Sequence, residues 1–272
     1  MQGRLSPIER DRLQTFPFAN WKNEFEIARK NNFFLIEWTI DTYNIDENPI
    51  FFDNGLKEIK DYQVKYSIHL DSVTCDFFME NPIFNKKDNK INSLDYVIKL
   101  LENSQYLGIK YIVLPIVDFN SIKNQIDEAE LIDRINLISN KIPSGSKILF
   151  ETDFSPSHTL SFIKNFDKSK FGINYDTGNS ANLGYNFKKE MESYYEYIDN
   201  IHIKDRKFNS HSVNLGKGDF LFYDFFSFLN KINYNGNLIL QTARSKNNEH
   251  LDILLKNKIF VENIINETKS QK

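Results

Sequence analysis

Short apolar runs alternate along this chain with longer stretches of helical periodicity. That alternation limits the folds open to it more than any other feature. The runs are FFLIEW (33–38), VKYSIHL (64–70), KYIVLPIV (110–117), KILFET (147–152), FGINYD (171–176), IDNIHIK (198–204) and NLILQT (237–242). Most are nearly unbroken apolar stretches, the pattern of strands buried on both faces of a parallel sheet. Between them the spacing predicts helices over about 21–31, 91–107, 122–141, 155–167, 186–197, 220–231 and 249–265. Asn20 is placed to cap the first, with Glu24 just inside. Ile91, Leu94, Ile98 and Leu101 mark the second, which stops at Gly108.

Seven βα units are visible, and MQGRL at the N-terminus is the candidate for the eighth strand position. Either that strand is short or a few residues upstream of it are missing. No linker or composition break divides residues 1–272, so the expected fold is α/β, a single-domain (β/α)8 TIM barrel. A doubly wound open sheet is the alternative, but no G-x-G-x-x-G opens the first βα turn. The 24 Phe and 13 Tyr supply ample apolar area for one large core. A net charge of −3 is no electrostatic footprint for a nucleic acid partner. The single cysteine, Cys75, excludes an intrachain disulfide framework and a cysteine-cluster metal site. No apolar run approaches the roughly 20 residues of a membrane span, and the N-terminus has no signal-peptide core. A soluble cytoplasmic protein without membrane contact is expected.

In such a barrel the active site is ringed by the C-terminal ends of the strands. The runs end in Glu37 and Trp38, His69 and Asp71, Pro115 and Asp118, Glu151 and Asp153, Asp176, His202 with Lys204 and Asp205, and Gln241 with Arg244; the N-terminal run holds Gln2 and Arg4. Glu151, Asp176 and His202 come from three successive strand ends and make a hard, oxygen-rich set with one imidazole. That set suits one divalent ion, Mn²⁺, Mg²⁺, Co²⁺ or Zn²⁺. Such an ion would hold adjacent oxygens of a polyol or hydroxy-ketone. It would also stabilise the enediolate formed when a carboxylate removes the neighbouring proton. Arg4, Lys204, Arg206 and Arg244 near the strand ends suit an anionic substrate. Trp21, Trp38 and Phe16 are candidate walls against a sugar face.

These stretches resemble the xylose-isomerase-like TIM-barrel superfamily, in its sugar-phosphate isomerase/epimerase branch. NFFLIEW (32–38), ILFETDFSP (148–156), INYDTGNSANLG (173–184), IHIKDR (201–206) and NLGKGDFLF (214–222) carry the likeness, which spans the whole chain. Each is weak alone; their order and strand placement make the signal. In the family's epimerases a Glu, an Asp, a His and a second Glu bind the metal, and the resemblance carries these onto Glu151, Asp176, His202 and Gln241. The two family glutamates also form the acid/base pair. Gln241 departs from this pattern, because an amide can offer an oxygen but cannot shuttle a proton.

The resemblance therefore implies a divalent-metal-dependent isomerase or epimerase of a small, anionic carbohydrate derivative, such as a sugar phosphate or sugar acid. Glu151 is the catalytic base. Lys204, His69 and Glu37 are candidates for the missing acid/base, and Lys204 or an arginine would neutralise the enediolate. Arg4, Glu37, Trp38, His69, Arg206 and Arg244 are the expected substrate contacts. Gln241 keeps a non-catalytic sugar-binding barrel open as an alternative. An endonuclease IV-like phosphodiesterase is disfavoured, since the chain has only five histidines and Asn179 stands where that branch places a metal-binding one. The stripe FLFYDFFSF (220–228) is read as the core face of a helix and a candidate homo-oligomer contact.

Overall fold

The computed structural model describes residues 5–9, 15–84, 92–245 and 249–270. Residues 1–4 of the expected first strand, with Gln2 and Arg4, lie outside the described residues. In chain order the first half comprises α1 (Trp21–Lys30), β1 (Leu35–Thr39), α2 (Asp53–Tyr66), β2 (His69–Thr74), the single turn α3 (Phe77–Glu80), α4 (Ser93–Leu107), β3 (Tyr111–Ile116) and α5 (Gln125–Leu137). The second half comprises β4 (Lys147–Thr152), α6 (Pro156–Ile163), β5 (Phe171–Asp176), α7 (Thr177–Leu183), α8 (Phe187–Tyr194), β6 (Ile198–Ile203), a small hairpin of β7 (Asp205–Arg206) and β8 (Ser212–Val213), α9 (Phe222–Lys231), β9 (Asn237–Leu240) and α10 (His250–Lys269).

Strands β1 to β6 and then β9 lie side by side, and every neighbouring pair is parallel. The sheet curls until β1 meets β6 across the interior: His202 Nε2 lies 2.8 Å from Glu37 Oε1. The result is a nearly closed TIM-type barrel, as the alternation of runs and helices predicts.

Side chains alternate along a strand, so register decides which residues enter the barrel. Glu37 lies opposite Ser72, Pro115 opposite Glu151, Asn174 opposite Asn200 and Asp176 opposite His202. Register shifts fall between Leu35 and Glu37 and between Ile173 and Asn174. Each adds a residue to one strand and so brings two polar side chains level on the inner face.

The same alternation corrects the expectation for Trp38, which falls on the opposite face from Glu37. Its Nε1 donates to Asn48 Oδ1 at 2.9 Å, and its ring lies 4.8 Å from Phe16 and 5.5 Å from Trp21 between centroids. All three aromatic side chains belong to the core rather than to a sugar-facing wall.

His69 is a second correction. Residues 64–66 are the last turn of α2, and Ser67 ends that helix in the left-handed region at φ 53°. The strand therefore starts at His69, which is exposed at the end of the barrel away from the site. The run VKYSIHL misled because Val64, 72% exposed, sits on the outer face of a helix whose buried residues are Gly55, Leu56 and Ile59. Asp71, beside it, pairs with Lys110 at 3.0 Å.

The core between β4, β5 and α6 is a cluster of Phe150, Phe162, Phe166 and Phe171, with Phe150 centroids 4.8–6.0 Å from the other three. Phe150 is fully buried, so Phe150→Ala is expected to destabilise the fold by about 3–5 kcal/mol, measured by urea unfolding. Phe222, Phe225 and Phe226 of the aromatic stripe are likewise buried within the chain and form the core face of α9, with Phe220 buried just ahead of it. Among the described residues no helix is long and apolar enough to cross a membrane.

Candidate active site at the C-terminal rim

The site is built on a buried polar layer inside the barrel. Ser72 Oγ donates to Glu37 Oε2 at 2.6 Å, and Asn200 Nδ2 reaches the same oxygen at 3.4 Å and Asn174 Oδ1 at 2.6 Å. Asn174 Nδ2 in turn donates to Glu151 Oε2 at 2.7 Å. Asn179, from the first turn of α7, donates to the other oxygen, Glu151 Oε1, at 2.8 Å. Two amides thus fix the carboxylate of Glu151 in orientation without giving it a proton.

His202 stands between two carboxylates. Its Nε2 faces Glu37 Oε1 at 2.8 Å and its Nδ1 faces Glu151 Oε2 at 3.2 Å. These are ion-pair distances without hydrogen-bond alignment, and neither ring nitrogen has an aligned partner among the described residues. Burial on its own would push the imidazole down. The charge of Glu37 and the contacts with Glu151 override it and hold His202 up to about 10. Glu37 is wholly buried; desolvation would raise it, but His202 and Ser72 hold it below the usual carboxylate range. Glu37 is therefore placed to orient His202 from below, away from the rim where a substrate would sit.

Asp176 closes β5 and opens α7. Its Oδ1 accepts from the backbone N–H groups of Gly178 (2.7 Å) and Asn179 (2.9 Å), capping the helix. Glu151, Asp176 and His202 each bring one ligand atom within 4.8 Å of the others, and all three are buried. Two carboxylates and an imidazole lacking aligned hydrogen bonds are a donor set that fits a divalent ion.

Gln241 lies beside this set, but its Oε1 accepts from Lys204 Nζ at 2.7 Å, and the same ammonium lies 3.3 Å from Asp176 Oδ2. Lys204 is positioned by several contacts. Thr177 Oγ1 donates to its carbonyl at 2.6 Å and accepts from its N–H at 2.9 Å. Its stem lies across Gly178, where a Cβ would fall 2.6 Å from its Cγ and Cδ. Asp205 next in line accepts from the N–H groups of Gly216, Gly218 and Phe220, which shapes the NLGKGDF loop.

Arg206 and Arg244 make other contacts. Arg206 Nε donates to the Ser210 carbonyl within the hairpin, and an Arg244 terminal nitrogen donates to the Ser6 carbonyl at 2.7 Å. Ser6 also bonds Glu24 Oε1 through its N–H and hydroxyl, so Arg244 helps tie residues near the N-terminus to the exit of β9. The structure thus gathers Glu151, Asp176, His202, Gln241 and Lys204, with Glu37 beneath them. His69, Trp38, Arg206 and Arg244 are drawn into other contacts or other faces.

Asn174 and Asn200 were not singled out in the sequence. A signal was present: an asparagine stands two residues before Asp176 and two before His202 on otherwise apolar strands, where alternation forces it inward.

Residues 25–257 match the family described as xylose isomerase-like TIM barrel. A protein of Haemophilus influenzae, whose name assigns it provisionally as L-ribulose-5-phosphate 3-epimerase SgbU, is 24% identical over 249 residues, covering 85% of this chain and 86% of its own. The solved structure of an L-ribulose 3-epimerase superposes with a TM-score of 0.77 at 11% identity, over 100% of this chain and 95% of the other. The IOLI protein, solved with a bound zinc atom, superposes with a TM-score of 0.72 at 16% identity, over 92% and 94% of the two chains. With a family match that spans most of its length, the chain belongs to the xylose isomerase-like TIM barrel family.

Proposed function

We propose that this chain is a divalent-metal-dependent isomerase or epimerase of a small carbohydrate derivative, with an enediolate intermediate and Glu151 as the carbon base. The observation that carries the reading is the convergence of Glu151, Asp176 and His202 on one point at the rim. The relatives support it: one is named for an epimerase of a sugar phosphate, one for a sugar epimerase, and one holds zinc.

Glu151, Asp176 and His202 would hold the ion, which when bound would polarise the substrate carbonyl and lower the acidity barrier of the adjacent C–H. Glu151, fixed by Asn174 and Asn179, accepts the proton. Lys204 neutralises charge on the substrate oxygen, and as an ammonium beside Asp176 it also carries the case for an anionic substrate. Gln241 holds Lys204 through its amide oxygen. Because Gln241 has no proton to give, return of the proton by Glu151 to the neighbouring carbon is favoured over delivery from the opposite side.

Deuterium uptake tests this directly. D-Xylulose, D-ribulose, D-fructose and their phosphates are incubated in D₂O with the Mn²⁺-loaded protein and followed by proton NMR. Carbon-bound exchange is expected with at least one of them, and Glu151→Gln is expected to reduce it by about 10²–10⁴-fold. Exchange that is absent from wild type, or unaffected in the variant, overturns the reading.

A further inference from the structure

Asp76 is a buried carboxyl in the cup that the chemistry above leaves unused. It stands two residues past β2, and its backbone is held on both sides. Cys75 N donates to Val113 O on β3 at 3.0 Å, and Phe77 N donates to Ile40 O just past β1 at 2.9 Å. Thr74 Oγ1 donates to Asp76 Oδ1 at 3.4 Å, which sets the carboxyl on the face of Thr74. Alternation puts that face in line with Ser72, whose hydroxyl already meets Glu37 inside the barrel. Asp76 is only 9% exposed, yet its Oδ2 has no hydrogen-bond partner among the described residues. A buried carboxyl oxygen left unpaired is costly, and such a group calls for an explanation.

Resting on the one-base reading above, we propose that Asp76 is the second proton-transfer group of the site, serving the substrate oxygens while Glu151 serves the carbon. The charged groups that act on Asp76 are those of the cup: Glu151, Lys204, His202 and Glu37. Burial first, and then the charge of Glu151, push it up to about 7 against the pull of Lys204 and His202. A carboxyl of that kind carries a proton near neutral pH and can both give and take one.

On a 2-ketose the steps balance without an oxidant or reductant. Glu151 takes a proton from C1, which leaves the enediolate charge on the C2 oxygen beside Lys204, and Asp76 then gives its carboxyl proton to that oxygen to form a neutral 1,2-enediol. Glu151 then returns its proton to C2. The O1–H bond breaks as the C1 carbonyl forms, and that proton passes to Asp76. Both carboxyls end as they began, and the ketose has become an aldose. Inversion at carbon would need a second carbon acid, which Gln241 cannot be. The proposed pair of roles therefore points to aldose–ketose isomerisation.

Wild type, Glu151→Gln, Asp76→Asn and Asp76→Glu are compared on the same ketoses with Mn²⁺ in D₂O, scoring product formation and deuterium uptake separately. Asp76→Asn is expected to lower kcat for product by about 10²–10⁴-fold while KM and Mn²⁺ affinity stay within about threefold. Deuterium uptake should fall far less, so the ratio of exchange to product rises by about tenfold or more, and Asp76→Glu should recover part of the product rate. That ratio does not depend on how much of a variant is folded. Product and exchange falling together, or no fall in product, overturns the role of Asp76 and leaves the one-base reading standing. No exchange in wild type overturns both.

Discussion

Glu37→Gln is expected to destabilise the metal-free protein by about 3 kcal/mol and to weaken Mn²⁺ binding by about 10–100-fold. The side chains of Glu37 and His202 are both fully buried and 2.8 Å apart, so removing one charge leaves the other without its main partner in a low-dielectric interior. The expected loss sits at the low end for a broken buried pair because Glu151 still flanks the ring at 3.2 Å. Glutamine keeps the volume and the bonds from Ser72 and Asn200, so packing changes little.

The pH dependence follows from the direction of each shift. His202 is raised from 6.5 to about 10, so its contribution is fully present below 6.5 and is lost as pH rises through about 10. Glu37 is lowered from 4.5, so its contribution is present above 4.5 and is lost as pH falls through its depressed value. The variant's deficit should therefore be largest between those two unfolded values and fade toward pH 10. Urea unfolding in chelator across pH measures it. A deficit that does not change with pH would mean the pair is not ionised in the fold. The loss of metal affinity arises differently: Glu37 fixes the ring by its Nε2, which leaves Nδ1 turned toward Glu151 and available as a ligand.

Lys204→Met is expected to move binding and catalysis in opposite directions. The ammonium lies 3.3 Å from an oxygen of Asp176, one of the three candidate ligands. Unit charges about 4 Å apart interact by about 4 kcal/mol at an effective dielectric of 20, so a cation there opposes a divalent ion strongly. Removing it should tighten Mn²⁺ binding by about tenfold or more even after screening and relaxation. Turnover should nonetheless fall by about 10²–10³-fold, because charge developing on the substrate oxygen loses its neutralising group.

Gln241→Glu bears on the same point. With Lys204 present, the new carboxylate meets the ammonium that the amide now holds at 2.7 Å, and the metal gains little. In the Lys204→Met background the same change should tighten binding clearly. Isothermal titration with Mn²⁺ across the four proteins decides it. Equal gains in both backgrounds would show that Lys204 and Gln241 do not interact when the ion is bound.

Some parts of this site were legible along the chain because their geometry is local. Glu151, Asp176 and His202 end apolar runs, and a parallel barrel puts strand ends in one place. His69 failed that rule because the last turn of α2 has strand-like composition, and one misjudged strand start moves a residue from one end of the barrel to the other. Trp38 failed by one residue of alternation: it adjoins Glu37 and therefore faces away from it. Arg244 lies near Gln241 in sequence, and one of its contacts is with Ser6, from the opposite end of the chain.

The sequence by itself determined the class of fold, the three candidate ligands at the rim and the amide at position 241, since periodicity and strand ends are properties of neighbouring residues. Only the tertiary structure decided what those residues meet. Barrel closure sets Glu37 of β1 under His202 of β6, register shifts level Asn174 with Asn200, and Lys204, its stem over Gly178, holds the oxygen of Gln241 with its ammonium. Those pairings join residues far apart along the chain, and their distances depend on how the sheet curls, which no local pattern encodes.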